Sequence, residues 1–136
     1  MERIVQVGMR GFGSARRTEV EAAAAWGARI VTAYQVHDAG VEAALAHVPA
    51  GARVVITFDC DALDPPAMPA VMAPTPGGLT YAQAIALITG VAERATIAGF
   101  DLIEFVPSRD PDGSAATTAA SLVSHVIGTL AARHTP

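Results

Sequence analysis

The sequence predicts an α/β fold with a parallel sheet between layers of helix. Three observations carry that expectation. Short β-branched runs alternate with longer Ala-rich runs of helical period, in the order βαβαβαβα. Turn residues separate the runs at nearly every junction. The 136 residues are 51% apolar but only 5% aromatic, enough for one core built from Ala, Val, Ile and Leu.

The elements follow in order. Residues 3–7 (RIVQV) read as a strand, followed by a Gly-rich loop from Gly8 to Ser14. Residues 15–26 have helical composition, and Gly27 is placed to end them. Residues 29–33 read as a strand and 38–47 as a short helix stopped by Pro49 and Gly51. The clearest strand is 53–59 (RVVITFD). A long proline-rich loop, 60–79, comes next; its prolines restrict their own φ and the residues before them, which implies a fixed shape. Thr80 and Gln83 form a capping-box signature for a helix over 81–94. A strand at 96–105, a polar loop at 106–113 and a helix at about 114–133 complete the chain.

The formal charge is −4, and all basic residues are Arg. No basic patch points to nucleic acid. Charges, Gly or Pro interrupt the longest apolar stretches, so no membrane span is expected. The amino terminus lacks the pattern of a signal peptide. The one cysteine, Cys60, excludes an internal disulfide framework and fits a reducing cytoplasm. A single domain over 1–136 is expected, with no internal repeat.

In parallel sheets, ligands bind beyond the carboxyl ends of strands. This rule singles out Gly8–Ser14, Asp59–Gly78 and Glu104–Asp112. Asp59 and Asp61 close the best strand. If strand alternation continued, they would share a face, with Cβ atoms about 6–7 Å apart and Cys60 opposite. Two carboxylates so placed repel unless a cation sits between them, and carboxylate oxygens favour Mg²⁺, Mn²⁺ or Ca²⁺. The alternative is a pair of solvated turn caps. Asp64, before Pro65, is expected to bind loop N–H groups rather than a ligand. Glu104 lies in an apolar run near the end of the next strand, where a carboxylate needs a partner. It faces either the same crevice as the aspartates or an arginine such as Arg109 or Arg53.

Gly8-Met9-Arg10-Gly11-Phe12-Gly13 lacks the third glycine of a dinucleotide fingerprint and any P-loop lysine, so a tight turn suits it better than a phosphate cradle. Cys60 reads as a small buried residue whose thiol the flanking aspartates hold protonated. His37, His47, His125 and His134 show no metal spacing and read as structural or solvent-facing.

The run Thr57-Phe58-Asp59-Cys60-Asp61-Ala62-Leu63-Asp64-Pro65, continued by Pro74-Thr75-Pro76-Gly77-Gly78-Leu79, resembles the ureohydrolase signature of the arginase/agmatinase family. There a strand ending S-F-D-x-D-x-x-D-P leads to a loop ending P-G-G-L. Gly99-Phe100-Asp101-Leu102-Ile103-Glu104-Phe105-Val106-Pro107 is similar to the later G-F-D-x-x-E-x-N-P strand, and Gln6-Val7-Gly8-Met9-Arg10-Gly11 to the Q-x-G-x-R-G strand of agmatinases.

The resemblance implies a partial arginase-like fold, corresponding to the C-terminal half of the catalytic domain. It implies Asp59 and Asp61 as ligands of a two-Mn²⁺ site and Glu104 as the carboxylate that holds a guanidinium. The implied reaction is hydrolysis of a linear guanidino compound such as agmatine to urea and an amine.

Ala70, Met72 and Val106 depart from the family pattern, which leaves agmatine, arginine and guanidinobutyrate open. The family's upstream G-G-D-H-S and D-A-H-x-D motifs do not occur. The expected chain therefore holds only part of the ligand set, is weak or inactive alone, and exposes a sheet edge and an apolar face. Such a surface favours a homo-oligomer or a partner bearing the missing half. Two other readings stand beside this one: a phosphate- or nucleotide-binding module using Gly8–Ser14, and a structural subunit that completes a partner chain.

Overall fold

The computed structural model describes residues 2–11 and 15–133. The strands are β1 (Val5–Met9), β2 (Arg29–Thr32), β3 (Arg53–Asp59) and β4 (Thr96–Ile103). The helices are α1 (Arg17–Trp26), α2 (Ala33–Ala39), α3 (Glu42–Leu45), α4 (Tyr81–Arg94) and α5 (Ser114–Arg133). Short 3₁₀ turns span Cys60–Ala62 and Pro107–Arg109. The α/β class and the order of strands match the sequence expectation.

β1 pairs with β2 and β3 with β4, both in parallel. Among the described residues no ladder joins the two pairs, where the sequence reading expects one sheet. Their carboxyl ends meet through side chains and loop instead. A Cβ on Gly8 of β1 would stand 3.3 Å from Leu79 Cδ1 and 3.7 Å from Ala62 Cβ.

One expected helix differs. Residues 38–47 are not a single helix: α2 starts at Ala33, directly after β2, and Gly40 separates it from α3. The cause is a capping box. Thr32 Oγ1 accepts the Gln35 N–H at 3.2 Å, and Gln35 Oε1 accepts the Thr32 N–H at 2.8 Å. Gly40, at φ +76, then breaks the run. The same device starts α4 as the sequence predicts, with Thr80 Oγ1 accepting from the Gln83 N–H at 3.1 Å.

The core is one cluster, and much of it comes from the proline loop. Leu63, Met68, Ala70, Val71 and Leu79 are buried with Phe58 of β3, Val36 of α2, Ile88 of α4 and Leu122 of α5. The loop therefore fills the interior instead of covering it. α5 buries Ala115, Ala119, Leu122 and Val126, one stripe of helical period. This helix is 20 residues long and holds an 18-residue stretch of mean hydropathy 1.3, long and apolar enough by length and composition alone to cross a membrane.

The outward face of β3 and β4 leaves Val55 67% and Ile103 43% exposed, in line with the apolar face expected above.

Candidate functional site

β3 ends at Asp59, and the chain turns at once into the 3₁₀ segment Cys60–Ala62. Strand alternation thus does not reach Asp61, contrary to the sequence reading. The reason is local: Asp59 Oδ1 accepts the Asp61 N–H at 3.0 Å, which caps the turn and bends the chain. Asp59 and Asp61 are both half-buried, and Cys60 between them is fully buried.

Burial and the neighbouring Asp59 carboxylate push the Asp61 carboxyl above its ordinary range. The Arg10 guanidinium opposes this, and Glu104 adds to it. Burial first, then Asp59, Asp61 and Glu104, raise the Cys60 thiol to about 11, so it is not a nucleophile at neutral pH.

Glu104 lies one residue beyond β4, whose Ile103 pairs with Asp59 in register. The strand stops before Glu104, not at residue 105. Glu104 is exposed, so the buried-charge argument of the sequence reading does not apply to it. Instead it is the one non-glycine residue with positive φ among the described residues, at 62°. Such a conformation costs an ordinary residue about 1 kcal/mol or more and is concentrated at functional sites. Among the described residues Glu104 forms no ion pair with Arg53 or Arg109. Arg109 Nη1 donates to the carbonyls of Val71 at 2.8 Å and Met72 at 2.9 Å, pinning the proline loop.

Asp64 has the structural role the sequence predicts. Its Oδ1 accepts the N–H groups of Gly77 at 2.6 Å and Gly78 at 2.9 Å, closing the loop on itself. Gly78 is required there: a Cβ would come within 2.5 Å of the Leu63 carbonyl carbon and 2.6 Å of the Asp64 nitrogen. His37 completes this corner, its Nε2 3.0 Å from the Gly78 carbonyl oxygen and its Nδ1 3.3 Å from Gln83 Nε2. His125 bonds Thr89 at 2.9 Å between α4 and α5. These two histidines are structural, as expected; His134 lies outside the described residues.

Sequence reasoning missed Arg10 as a functional residue. Its Nη2 donates to the carbonyls of Asp61 at 2.6 Å, Thr75 at 2.7 Å and Leu63 at 3.1 Å, and its Nε donates to Thr75 at 3.1 Å. The signal was present in the Gln6–Gly11 run, but a periodicity reading cannot show how far a guanidinium reaches.

The donor set fits one side of a hard-cation site. Asp59 and Asp61 offer oxygen ligands, and their mutual repulsion is what a divalent ion relieves. Among the described residues no group of three or more His, Cys, Asp or Glu side chains could hold a metal, so the set is incomplete. One cavity of about 420 Å³ lies under α1, lined by Gln6, Met9, Glu19, Val20 and Ile30 among others; another of about 400 Å³ lies by Arg94 and Arg133. Of the Gly8–Ser14 loop, Gly8 belongs to β1 and residues 12–14 lie outside the described ones. Just before α1, Glu19 Oε2 accepts the Arg16 N–H at 2.8 Å.

Known proteins of similar sequence and fold include ureohydrolases and amidino hydrolases. The chain is 37% identical over 125 residues to an N(1)-aminopropylagmatine ureohydrolase of Thermus thermophilus, covering 92% of this chain and 41% of that protein. It is 38% identical over 104 residues to an agmatinase of Chromobacterium violaceum, covering 74% and 32%. Among solved structures it superimposes with a TM-score of 0.79 on the proclavaminate amidino hydrolase of Streptomyces clavuligerus, at 28% identity over 96% of this chain and 42% of that one. The agmatine ureohydrolase of Thermoplasma volcanium gives a TM-score of 0.79 at 28% identity, over 97% and 44%. The chain thus spans about two-fifths or less of the length of these curated relatives. A family model described as the arginase family matches residues 1–128, and the chain belongs to that family.

Proposed function

We propose that this chain is the C-terminal half of a ureohydrolase catalytic domain, agmatinase-like, that hydrolyses a linear guanidino compound to urea and an amine. Asp59 and Asp61 are the ligands it contributes to a two-Mn²⁺ site. Manganese, when bound, supplies a nucleophilic hydroxide at neutral pH and a charge sink for the transition state.

The chain's own residues do three things in this reading. Asp59 and Asp61 supply oxygen ligands and lose their mutual repulsion when a cation binds. Glu104, held exposed in a left-handed turn beside the end of β3, accepts paired N–H bonds from the guanidinium and orients its carbon toward the aspartates. The buried loop beneath, closed by Asp64, holds that geometry still.

The observation that carries the proposal is the Asp59–Asp61 turn at the end of β3, with Glu104 one residue past its register partner. The agmatine-related relatives favour an agmatine-like substrate. Because only two ligands converge, the chain is weak or inactive alone, and either a partner bearing the remaining ligands or self-association completes the site. A cytoplasmic location is part of the proposal.

The test is urea release from agmatine, arginine and guanidinobutyrate with Mn²⁺, for the chain and its Asp59→Asn/Asp61→Asn and Glu104→Gln variants. Weak urea production abolished by either change supports the reading. Urea production that survives the double variant contradicts it.

A further inference from the structure

We propose that Arg10 is the positioning residue of the Asp59–Asp61 turn: one guanidinium, bonded to three carbonyls of the turn and the proline loop, fixes both in a single geometry. The inference rests on the reading that this turn binds a divalent cation.

The argument starts in β1. Gly8 takes φ +90, and the β1–β2 register shifts between Val7 and Met9. An irregularity of this kind bends the strand and re-aims the residues after it. The absence of a Cβ at Gly8 also lets β1 approach Leu79 and Ala62 closely. Both effects deliver Arg10 to the carboxyl end of β3, on a different strand pair.

There the guanidinium meets oxygen atoms from three places in the chain. It donates to Asp61 and Leu63, on either side of the turn's end, and to Thr75 in the loop just before Gly77 and Gly78. It also donates to the Gly8 carbonyl at 3.3 Å, which ties it back to its own strand. Among the described residues no ladder joins β1 to β3; this fork links them beside the packing of Gly8 against Leu79 and Ala62. The planar guanidinium suits the task, because its donors leave in fixed directions. A lysine has three donors on a flexible stem and cannot bind all these carbonyls at once. The cation also sits beside two carboxylates that repel each other.

The test compares the wild-type chain with Arg10→Met and Arg10→Lys, and with Arg109→Met, which removes another loop staple of the same kind. Mn²⁺ alone is the probe, read by paramagnetic broadening of amide signals, with thermal unfolding measured in parallel. Arg10→Met is expected to raise the Mn²⁺ concentration for half-broadening at Asp59–Asp61 at least tenfold, with Arg10→Lys between it and wild type. Arg109→Met is expected to move it less than threefold at a similar loss of thermal stability. Equal effects of Arg10→Met and Arg109→Met, or no effect of either, would overturn the proposal.

If Mn²⁺ broadens nothing near Asp59 in the wild type, the metal reading fails, and amide exchange decides the role of Arg10 separately. Faster exchange confined to Asp61, Gly77 and Gly78 in Arg10→Met supports the positioning role. Unchanged or uniformly faster exchange refutes it.

Discussion

The proline loop 60–79 and helix α1 invert the usual relation between regularity and rigidity. The loop has almost no repeating structure, yet six of its apolar side chains lie in the core. Asp64 clamps it from inside, and Arg10 and Arg109 clamp it from outside. α1 is a well-formed helix that ends on a left-handed Gly27, yet it buries no residue. Trp26, at its end, is 55% exposed. Local propensity makes α1 a helix, and tertiary bonds make the loop a fixed body. The candidate site stands on the second kind of structure.

The largest effect that sharpens this contrast is at Gly78. Gly78→Ala places a methyl group against backbone atoms of Leu63 and Asp64 that cannot move independently. It should cost about 3 kcal/mol or more, read as a fall in the denaturation midpoint. Asp64→Ala comes next. It strips two short bonds from the Gly77 and Gly78 amides and should cost about 2–3 kcal/mol. A loss below about 0.5 kcal/mol at either position would mean that the loop is not the rigid body described here.

Asp61→Asn should have a smaller effect, of opposite sign. The Asp61 carboxyl is raised in the folded chain above its ordinary 3.8, so the ionised form is disfavoured by folding. Its contribution to stability is fully present below pH 3.8 and is lost as pH rises through the folded value. Without metal, the variant should therefore be more stable than wild type at neutral pH. Solvent screening of the half-exposed group limits the gain to about 1 kcal/mol or less. The difference should vanish below pH 3.8, as a pair of pH–stability curves would show. Smallest of all is Val20→Ala on α1, expected within about 0.5 kcal/mol of wild type, with fast amide exchange along the helix.

Much of the fold was legible because local signals and final structure agree. The run 53–59 is β3 to the residue, and the Thr80–Gln83 box starts α4. The same box at Thr32–Gln35 is hidden in the sequence because the strand-like run 29–33 passes through it, so the helix expected at 38–47 begins later than α2.

At the site, the sequence identified which carboxylates stand near the carboxyl ends of the strands, but not how they are held. The Asp59 cap on Asp61 replaces strand alternation, and the left-handed turn at Glu104 replaces a buried strand position. Neither follows from residue periodicity, since both depend on where the strand ends to within one residue. Arg10 was legible only as part of a motif, because its bonds to the β3 turn and loop cross 51 to 65 positions of sequence.

The most direct measurement of the central claim is Mn²⁺ broadening of backbone amide signals in the metal-free chain, beside the Asp59→Asn/Asp61→Asn variant. The account predicts broadening centred on Asp59–Asp61, reaching Glu104 across the β3–β4 register, and absent from the variant. Broadening centred elsewhere, or surviving the double substitution, would contradict the claim that the end of β3 holds the metal side of a ureohydrolase site.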